Sequence, residues 1–183
     1  MIKGAHVSDS QKISQGYEIT ENSIIANVDA DNIRNMIDGF LDMNNGLPLF
    51  LFIEVPANLE DENVIRKFED GGVELETHHK DVYYLDAISS ESLKELFELF
   101  YDILINDGLS SFGVGNPYGE EIGKYKYNEM ILYGQDLKKY ISLFEHNGIS
   151  RTDKLITAWD TFTENTPGMR PLICSHDGQI FNG

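Results

Sequence analysis

The chain has 183 residues, with 14 lysines and arginines against 31 aspartates and glutamates, so its formal net charge is −17. This charge argues against nucleic-acid and membrane-surface binding, because such binding relies on basic side chains that displace counterions from phosphate groups. A length of 183 residues suits one domain, and a hydrophobic content of 41% is enough to build a core. No apolar run approaches the roughly 18 residues that span a bilayer, and a single cysteine excludes an internal disulfide. We therefore expect a cytoplasmic protein of one domain.

The first third of the chain predicts one helix between two strands. Residues 1–22 show no apolar period, so we expect a flexible or loosely packed lead-in, followed by a single domain over residues 23–183. The segment SIIANV (residues 23–28) predicts a short strand. The apolar spacing in residues 29–46 predicts an amphipathic helix, which Asp29 or Asp31 begins and Asn45-Gly46 ends. The run LPLFLFIEV (residues 47–55) is apolar on both sides, which predicts a strand buried on two faces.

The middle of the chain predicts two more helices around a pair of strands. Residues 58–72 begin with acidic residues and end at a glycine pair, which indicates a short polar helix. Residues 73–88 indicate two strands joined near residue 80. In residues 89–108, Ser90 precedes an apolar stripe with helical spacing, so this segment predicts the clearest helix of the chain. The stripe comprises Leu93, Leu96, Phe97, Phe100 and Leu104.

The last third predicts strands on either side of one helix. Residues 109–116 indicate a strand, residues 136–148 an amphipathic helix, and residues 154–162 a strand with Trp159 in the core. Across the chain, helices are separated by adjacent pairs of strands rather than by single strands, which is typical of an α+β fold. We predict a mixed, largely antiparallel sheet with three to four amphipathic helices packed on it.

The stretch GNPYGEEIGKYKYNEMILYG (residues 115–134) raises the question of a phosphate-binding loop. Such a loop requires G-x-x-x-x-G-K followed by Ser or Thr, whereas here the spacing is one residue short and Tyr125 follows the lysine. Glu120 and Glu121 also place negative charge where phosphates would lie. From residue 122 the side chains alternate, which predicts a β-hairpin with tyrosines on one face. Tyr118, Tyr125 and Tyr127 are candidate binding residues, since tyrosine supplies contact area at little entropic cost.

The sequence ETHHKD (residues 76–81) is the main candidate for catalytic chemistry. In a strand, Glu76 and His78 project to one side while His79 and Asp81 project to the other, so each side offers an imidazole and a carboxylate. Such a pair could act as a general base or, with Glu54, bind a metal. No further ligand stands at a diagnostic spacing, and a solvated hairpin tip is the simpler interpretation. A small hydrolase or metal-dependent enzyme that uses this cluster is the alternative to our main prediction.

Two other patterns suggest metal sites and are incomplete. Cys174 and His176 could supply two zinc ligands or a thiolate nucleophile, but a structural zinc site needs two more ligands. The segment DADN (residues 29–32) resembles the start of a calcium loop, but the fifth ligand and the glycine that such a loop requires are missing. We expect neither a metal nor a cofactor.

The distribution of charge predicts the function. Between Glu54 and Asp81 there are nine acidic and three basic residues, and Glu60, Asp61 and Glu62 are consecutive. We predict a non-enzymatic interaction protein whose acidic middle segment and tyrosine-bearing hairpin bind a basic protein partner, as an inhibitor or immunity-type protein would. A domain that only oligomerises is a third interpretation of the same sequence.

Overall fold

The computed structural model describes residues 7, 9–56, 64–67, 73–75, 80–108, 110–163, 173–174 and 180–181. The strands within these ranges are β1 (Gly16–Ile19), β2 (Ser23–Asn27), β3 (Leu49–Pro56), β4 (Val64–Lys67), β5 (Val73–Leu75), β6 (Lys80–Ile88), β7 (Ser111–Gly115), β8 (Glu121–Lys124), β9 (Glu129–Tyr133), β10 (Ile173–Cys174) and β11 (Ile180–Phe181). The α-helices are α1 (Ala30–Met43), α2 (Ser90–Asn106) and α3 (Ile141–His146).

Seven strands form one sheet in the order β1-β2-β9-β8-β7-β3-β6, and every neighbouring pair in it is antiparallel. The predicted α+β fold, a largely antiparallel sheet with three to four helices, is therefore confirmed, and the described residues contain three α-helices. The division of the chain at residue 22 stays a prediction, although β1 lies in the sheet and comes from the predicted lead-in. Among the described helices, none combines the length and the apolar character that crossing a membrane requires.

One face of this sheet and the apolar sides of the helices form the core. Alternate side chains of the strands point to that face and are buried, because successive residues of a strand project to opposite sides. They are Ile24, Ala26, Leu49, Leu51, Phe112, Val114, Ile122, Met130 and Leu132. Helix α1 confirms the helix predicted from the apolar spacing in residues 29–46, and the five residues of that spacing are all buried: Ile33, Met36, Ile37, Phe40 and Leu41. In α2, the centroid of the Phe97 ring lies 5.7 Å from that of Phe112. Burial of one such side chain is worth about 1.5–3 kcal/mol.

Helix α2 confirms the strongest helical pattern but differs from it at two positions. The residue that caps its start is Ser89, whose Oγ accepts the Ser92 N–H at 3.1 Å. Tyr101 joins α2 to α1, because its hydroxyl accepts the Arg34 N–H at 2.8 Å and donates to the Ala30 carbonyl at 3.2 Å. Because the side of α2 that carries Tyr101 faces α1, the other edge of the predicted apolar stripe faces away from α1. Phe100 lies on that edge and is exposed.

The predicted helix over residues 58–72 is wrong where the structure describes it. Residues 64–67 form strand β4, which pairs antiparallel with β5. Val64 and Ile65 are β-branched and favour an extended backbone, and this preference together with the pairing outweighs the acidic helix-start signal. The two strands predicted within residues 73–88 are present as β5 and β6, but they do not form a hairpin with each other, because β5 pairs with β4 and β6 pairs with β3.

The predicted strand over residues 154–162 is replaced by a local turn. The Thr157 N–H and hydroxyl both donate to Asp160 Oδ2, at 2.8 and 3.1 Å, and a short 3-10 helix follows over Trp159–Thr161. Such side-chain hydrogen bonds compete with strand pairing. Trp159 is 50% exposed rather than in the core.

We predict that two phenylalanines of one predicted stripe differ sharply in their contribution to stability. Phe97→Ala should lower the free energy of unfolding by about 3–5 kcal/mol, because it empties a fully buried site. Phe100→Ala should lower it by about 1 kcal/mol or less, since that side chain is half exposed. Chemical denaturation of both variants measures the difference, and equal losses would contradict the orientation of α2.

Candidate functional site

The sheet face opposite the helices carries a group of aromatic rings and carboxylates. The β3 residues Phe50, Phe52 and Glu54 alternate with the buried ones, so they project to this side, and the strand is not buried on two faces as its sequence predicts. We call this surface the aromatic face. It comprises Phe50, Phe52, Glu54, Tyr84, Glu121, Tyr125 and Tyr133.

Glycines form the floor of the aromatic face. In the register of the sheet, Gly115 lies opposite Phe50, and Gly113 lies between Phe52 and Gly123. A Cβ built on Gly113 would lie 2.6 Å from Phe52 Cε1, and one built on Gly115 would lie 2.7 Å from Phe50 Cε1. The two rings therefore lie against the backbone of β7, in space that a side chain at either glycine would occupy.

The rings also contact one another across the strands. Phe50 stacks on Tyr84 with ring centroids 5.5 Å apart, and Phe52 packs against Tyr125 at 6.4 Å. Such pairs stabilise the arrangement by about 0.5–1.5 kcal/mol each. The aromatic face is consequently held in place on strands before any ligand binds.

Two carboxylates of the aromatic face differ in their partners. Glu54 is paired with Lys80 at 2.5 Å. Glu121 accepts a hydrogen bond from the Tyr125 hydroxyl at 3.2 Å, and the described residues place no cation beside it. Burial, and then the charge of Glu54, raise the pKa of Glu121 against the opposing effect of that hydrogen bond. Among the described residues, this partly desolvated negative charge therefore has no compensating positive charge.

The neighbouring Glu120 has the opposite environment. Its side chain is paired with Lys139 at 2.5 Å and accepts hydrogen bonds from Asn116 at 2.8 Å and the Tyr140 hydroxyl at 2.9 Å. Burial alone would raise its pKa, but these partners together lower it. Asn116 also donates to Asn44 at the end of α1 at 2.8 Å, so this network fixes the β7–β8 turn to the helices.

Lys124, the lysine of the apparent phosphate loop, points into the core instead. It is fully buried, and its Nζ donates to the carbonyl oxygens of Asp107 at 2.7 Å and Ser110 at 2.8 Å, in the loop between α2 and β7. Burial lowers the pKa of Lys124 to about 8, against the opposing charge of Asp107. The glycine stretch is a hairpin with Gly119 at φ 82°, and its lysine holds a loop rather than a phosphate.

The three predicted binding tyrosines lie in three places. Tyr118 is exposed in the β7–β8 turn, and Tyr125 belongs to the aromatic face. The chain leaves the strand after Lys124, and Tyr127 has φ 60°, so its ring packs against Trp159 and Phe162 at 5.1 and 4.9 Å. The alternation predicted from residue 122 therefore ends at residue 125, and the three tyrosines do not share one surface.

A separate segment crosses the other end of the same sheet face. The Leu155 N–H donates to Glu18 at 2.9 Å, and Asn27 donates to the Ile156 carbonyl at 2.7 Å. Glu18 and Asn27 lie on β1 and β2, on the side of the sheet that carries the aromatic face. The chain at Leu155 and Ile156 thus covers strands β1 and β2. It does not cover the aromatic rings over β3 and β7.

Most of the acidic and histidine-rich candidates fall outside the described residues. These are Glu60, Asp61, Glu62, Glu76, His78, His79 and His176. Asp81 is exposed on β6, and it lies opposite Val55, on the other side of the sheet from Glu54. Asp81 and Glu54 therefore do not converge on one metal. The described part of the chain contains no group of three or more potential metal-ligating side chains.

Comparison with known proteins gives no match among protein-family models, curated proteins or solved structures.

We predict that the buried lysine makes stability depend on pH in the alkaline range. The unfolded chain binds a proton on Lys124 up to about pH 10.5, whereas the folded chain releases it from about pH 8. Unfolding therefore takes up a proton between these values. The free energy of unfolding, relative to that of Lys124→Met, should rise with pH by at most about 1.4 kcal/mol per unit.

Chemical denaturation of the wild type and of Lys124→Met at about pH 7 and about pH 9.5 measures this change in the free energy of unfolding. The contributions of other titrating groups cancel in the difference between the two proteins. Lys138→Met removes the same charge from an exposed site and serves as control. A constant difference between the wild type and Lys124→Met would show that Lys124 titrates normally.

Proposed function

We propose that this chain is a cytoplasmic, non-enzymatic interaction protein that binds a basic protein partner through the aromatic face, as an inhibitor or immunity-type protein would. The observation that carries this proposal is the setting of Glu121. Its carboxylate is partly buried beside Tyr125, has a raised pKa, and is bonded to a hydroxyl, while no cation of the described residues lies beside it.

An arginine side chain fits this setting chemically. A guanidinium can stack on an aromatic ring at about 6 Å from its centroid while it donates two hydrogen bonds to a carboxylate. Phe52 and Tyr125 supply the rings, and Glu121 supplies the carboxylate with one oxygen already oriented by the tyrosine hydroxyl. A bound cation would offset the desolvation of Glu121, so the interaction restores charge balance at that site.

The rigidity of the aromatic face favours binding further. Its rings lie on strands over Gly113 and Gly115, so little side-chain entropy is lost when a partner docks. Most protein surfaces lose about 0.5–1.5 kcal/mol for each long side chain that binding immobilises.

The net charge of −17 supports the same proposal at longer range. An acidic protein attracts a basic partner before contact and accelerates the encounter, an effect that falls as salt screens the field. An inhibitor of a nucleic-acid enzyme would gain in this way, because its carboxylates occupy positions that the phosphates of the substrate otherwise take.

We predict that a peptide with two arginines separated by glycine binds the aromatic face, and that its citrulline counterpart does not. Citrulline keeps the shape and most hydrogen bonds of arginine but has no charge. NMR chemical-shift changes during titration should therefore cluster at Phe52, Glu121 and Tyr125 with the arginine peptide only. Glu121→Gln should weaken this binding about tenfold, since hydrogen bonds to charged groups are worth about 1.5–3 kcal/mol.

Glu95→Gln is the matched control, because it removes the same charge from an exposed position on α2, on the other side of the sheet. It should change the affinity less than about twofold. If Glu121→Gln and Glu95→Gln lowered the affinity equally, the binding would depend on net charge alone and not on the aromatic face. Binding that is insensitive to added salt would contradict the proposal altogether.

A further inference from the structure

Strand β6 is an edge strand with unusual exposure. It has nine residues, it ends the seven-stranded sheet, and the described residues provide no strand on its outer side. All of its side chains except Ile88 are exposed. Within the described part of the chain, the backbone N–H and C=O groups along this outer side therefore have no strand to pair with.

The centre of β6 is apolar on both of its faces. Val82, Tyr83, Tyr84 and Leu85 are between 46% and 61% exposed. Edge strands of monomers are usually short or carry charged residues that prevent association, whereas these four consecutive side chains carry none. Exposed apolar groups of this extent mark a docking surface.

We propose that β6 pairs antiparallel with β6 of a second copy of this chain, in the register that places Tyr83 opposite the same residue of that copy. Two copies joined edge to edge are related by a two-fold axis perpendicular to the sheet, which keeps each side chain on its own face. Directly opposite residues of paired strands share a face. The register must therefore be centred on a residue and not between two residues.

Charge selects one of these registers. With Tyr83 at the centre, Lys80 lies opposite Asp86 of the second copy at both ends of the pairing. With Tyr84 at the centre, Lys80 would lie opposite Ile88, and Asp86 opposite Val82, so neither charge would find a partner. With Val82 at the centre the pairing ends at Tyr84 and omits Leu85. Opposite charges across strands stabilise pairing, whereas unpaired ones do not.

Both charged groups lie on the side of the sheet that this register requires. Lys80 is paired with Glu54 on the side of the aromatic face. Asp86 follows Tyr84 by two residues in β6 and therefore projects to the same side, at the start of the irregularity between Leu85 and Ile88, and its Oδ1 accepts the Ala87 N–H at 2.7 Å. In the dimer, Lys80 would lie between Glu54 of its own chain and Asp86 of the second copy.

Long-range charge opposes this association and gives it a distinctive salt dependence. Two copies with a charge of −17 each repel one another, and added salt screens that repulsion. Dimerisation should therefore strengthen with salt, whereas binding to a basic partner should weaken. The two proposals can fail independently.

The test is a charge exchange between Lys80 and Asp86, followed by sedimentation equilibrium over a concentration series. Lys80→Glu places two acids opposite each other at both ends, and Asp86→Lys places two bases there. Each single variant should weaken dimerisation about tenfold or more, and the double variant should restore it. An equimolar mixture of the two single variants should form a mixed dimer, because every end then pairs an acid with a base.

Lys138→Glu reverses a charge at an exposed site away from β6 and should leave the association unchanged. Thermal unfolding of each variant checks that the monomer is intact. A wild type that stays monomeric at every concentration overturns the proposal. A dimer that ignores the charge exchange, or a β6 edge that pairs only with a strand of another protein, overturns it as well.

Discussion

The arrangement of the whole molecule depends on the register of β7 against β3 and β8. This register places Gly113 beside Phe52 and directs Phe112 and Val114 towards the helices. Because side chains alternate along a strand, a slip of one residue would exchange the two faces. The glycines would then line the core as voids, and the rings of β3 would have no flat surface to lie on.

The same alternation separates two adjacent acids with different roles. Glu120 turns into a network with Lys139, Asn116 and Tyr140, so its charge is compensated and it stabilises the fold. Glu121 turns to the aromatic face, where its charge is left uncompensated by the described residues. Although they are adjacent in the chain, Glu120 is therefore a structural group and Glu121 is a candidate ligand for a cation. Self-pairing through β6 would set two aromatic faces on the same side of a continuous sheet.

The sequence predicts those elements whose patterns are local. The apolar stripes of α1 and α2 follow the helical period. The short glycine spacing and the tyrosine after Lys124 already indicate a hairpin instead of a phosphate-binding loop. The predictions fail where strand pairing or a side-chain hydrogen bond, and not the apolar pattern, determines the backbone conformation. Val64–Lys67 becomes a strand through its pairing with β5, and Asp160 closes a turn where Trp159 suggested a strand. Tyr127 leaves its predicted face because of a left-handed backbone conformation that no residue type at that position signals.

The aromatic face was not predicted from the sequence, although the sequence contains a pattern that indicates it. Phe50 and Phe52 are spaced by two, as are Gly113 and Gly115. Bulky rings and glycines with the same period on two strands indicate rings that lie over a neighbouring backbone. The pattern becomes informative only when the pairing of β3 with β7 is known, because the two segments are about sixty residues apart in the chain.

The most direct test of this account is an NMR pH titration of the side-chain carboxyl carbons of Glu120 and Glu121 in one sample. The two pKa values should lie on opposite sides of the ordinary value of 4.5, with that of Glu120 below it and that of Glu121 above it. Adjacent glutamates that titrate together would contradict it, since the uncompensated charge on the aromatic face would then not exist.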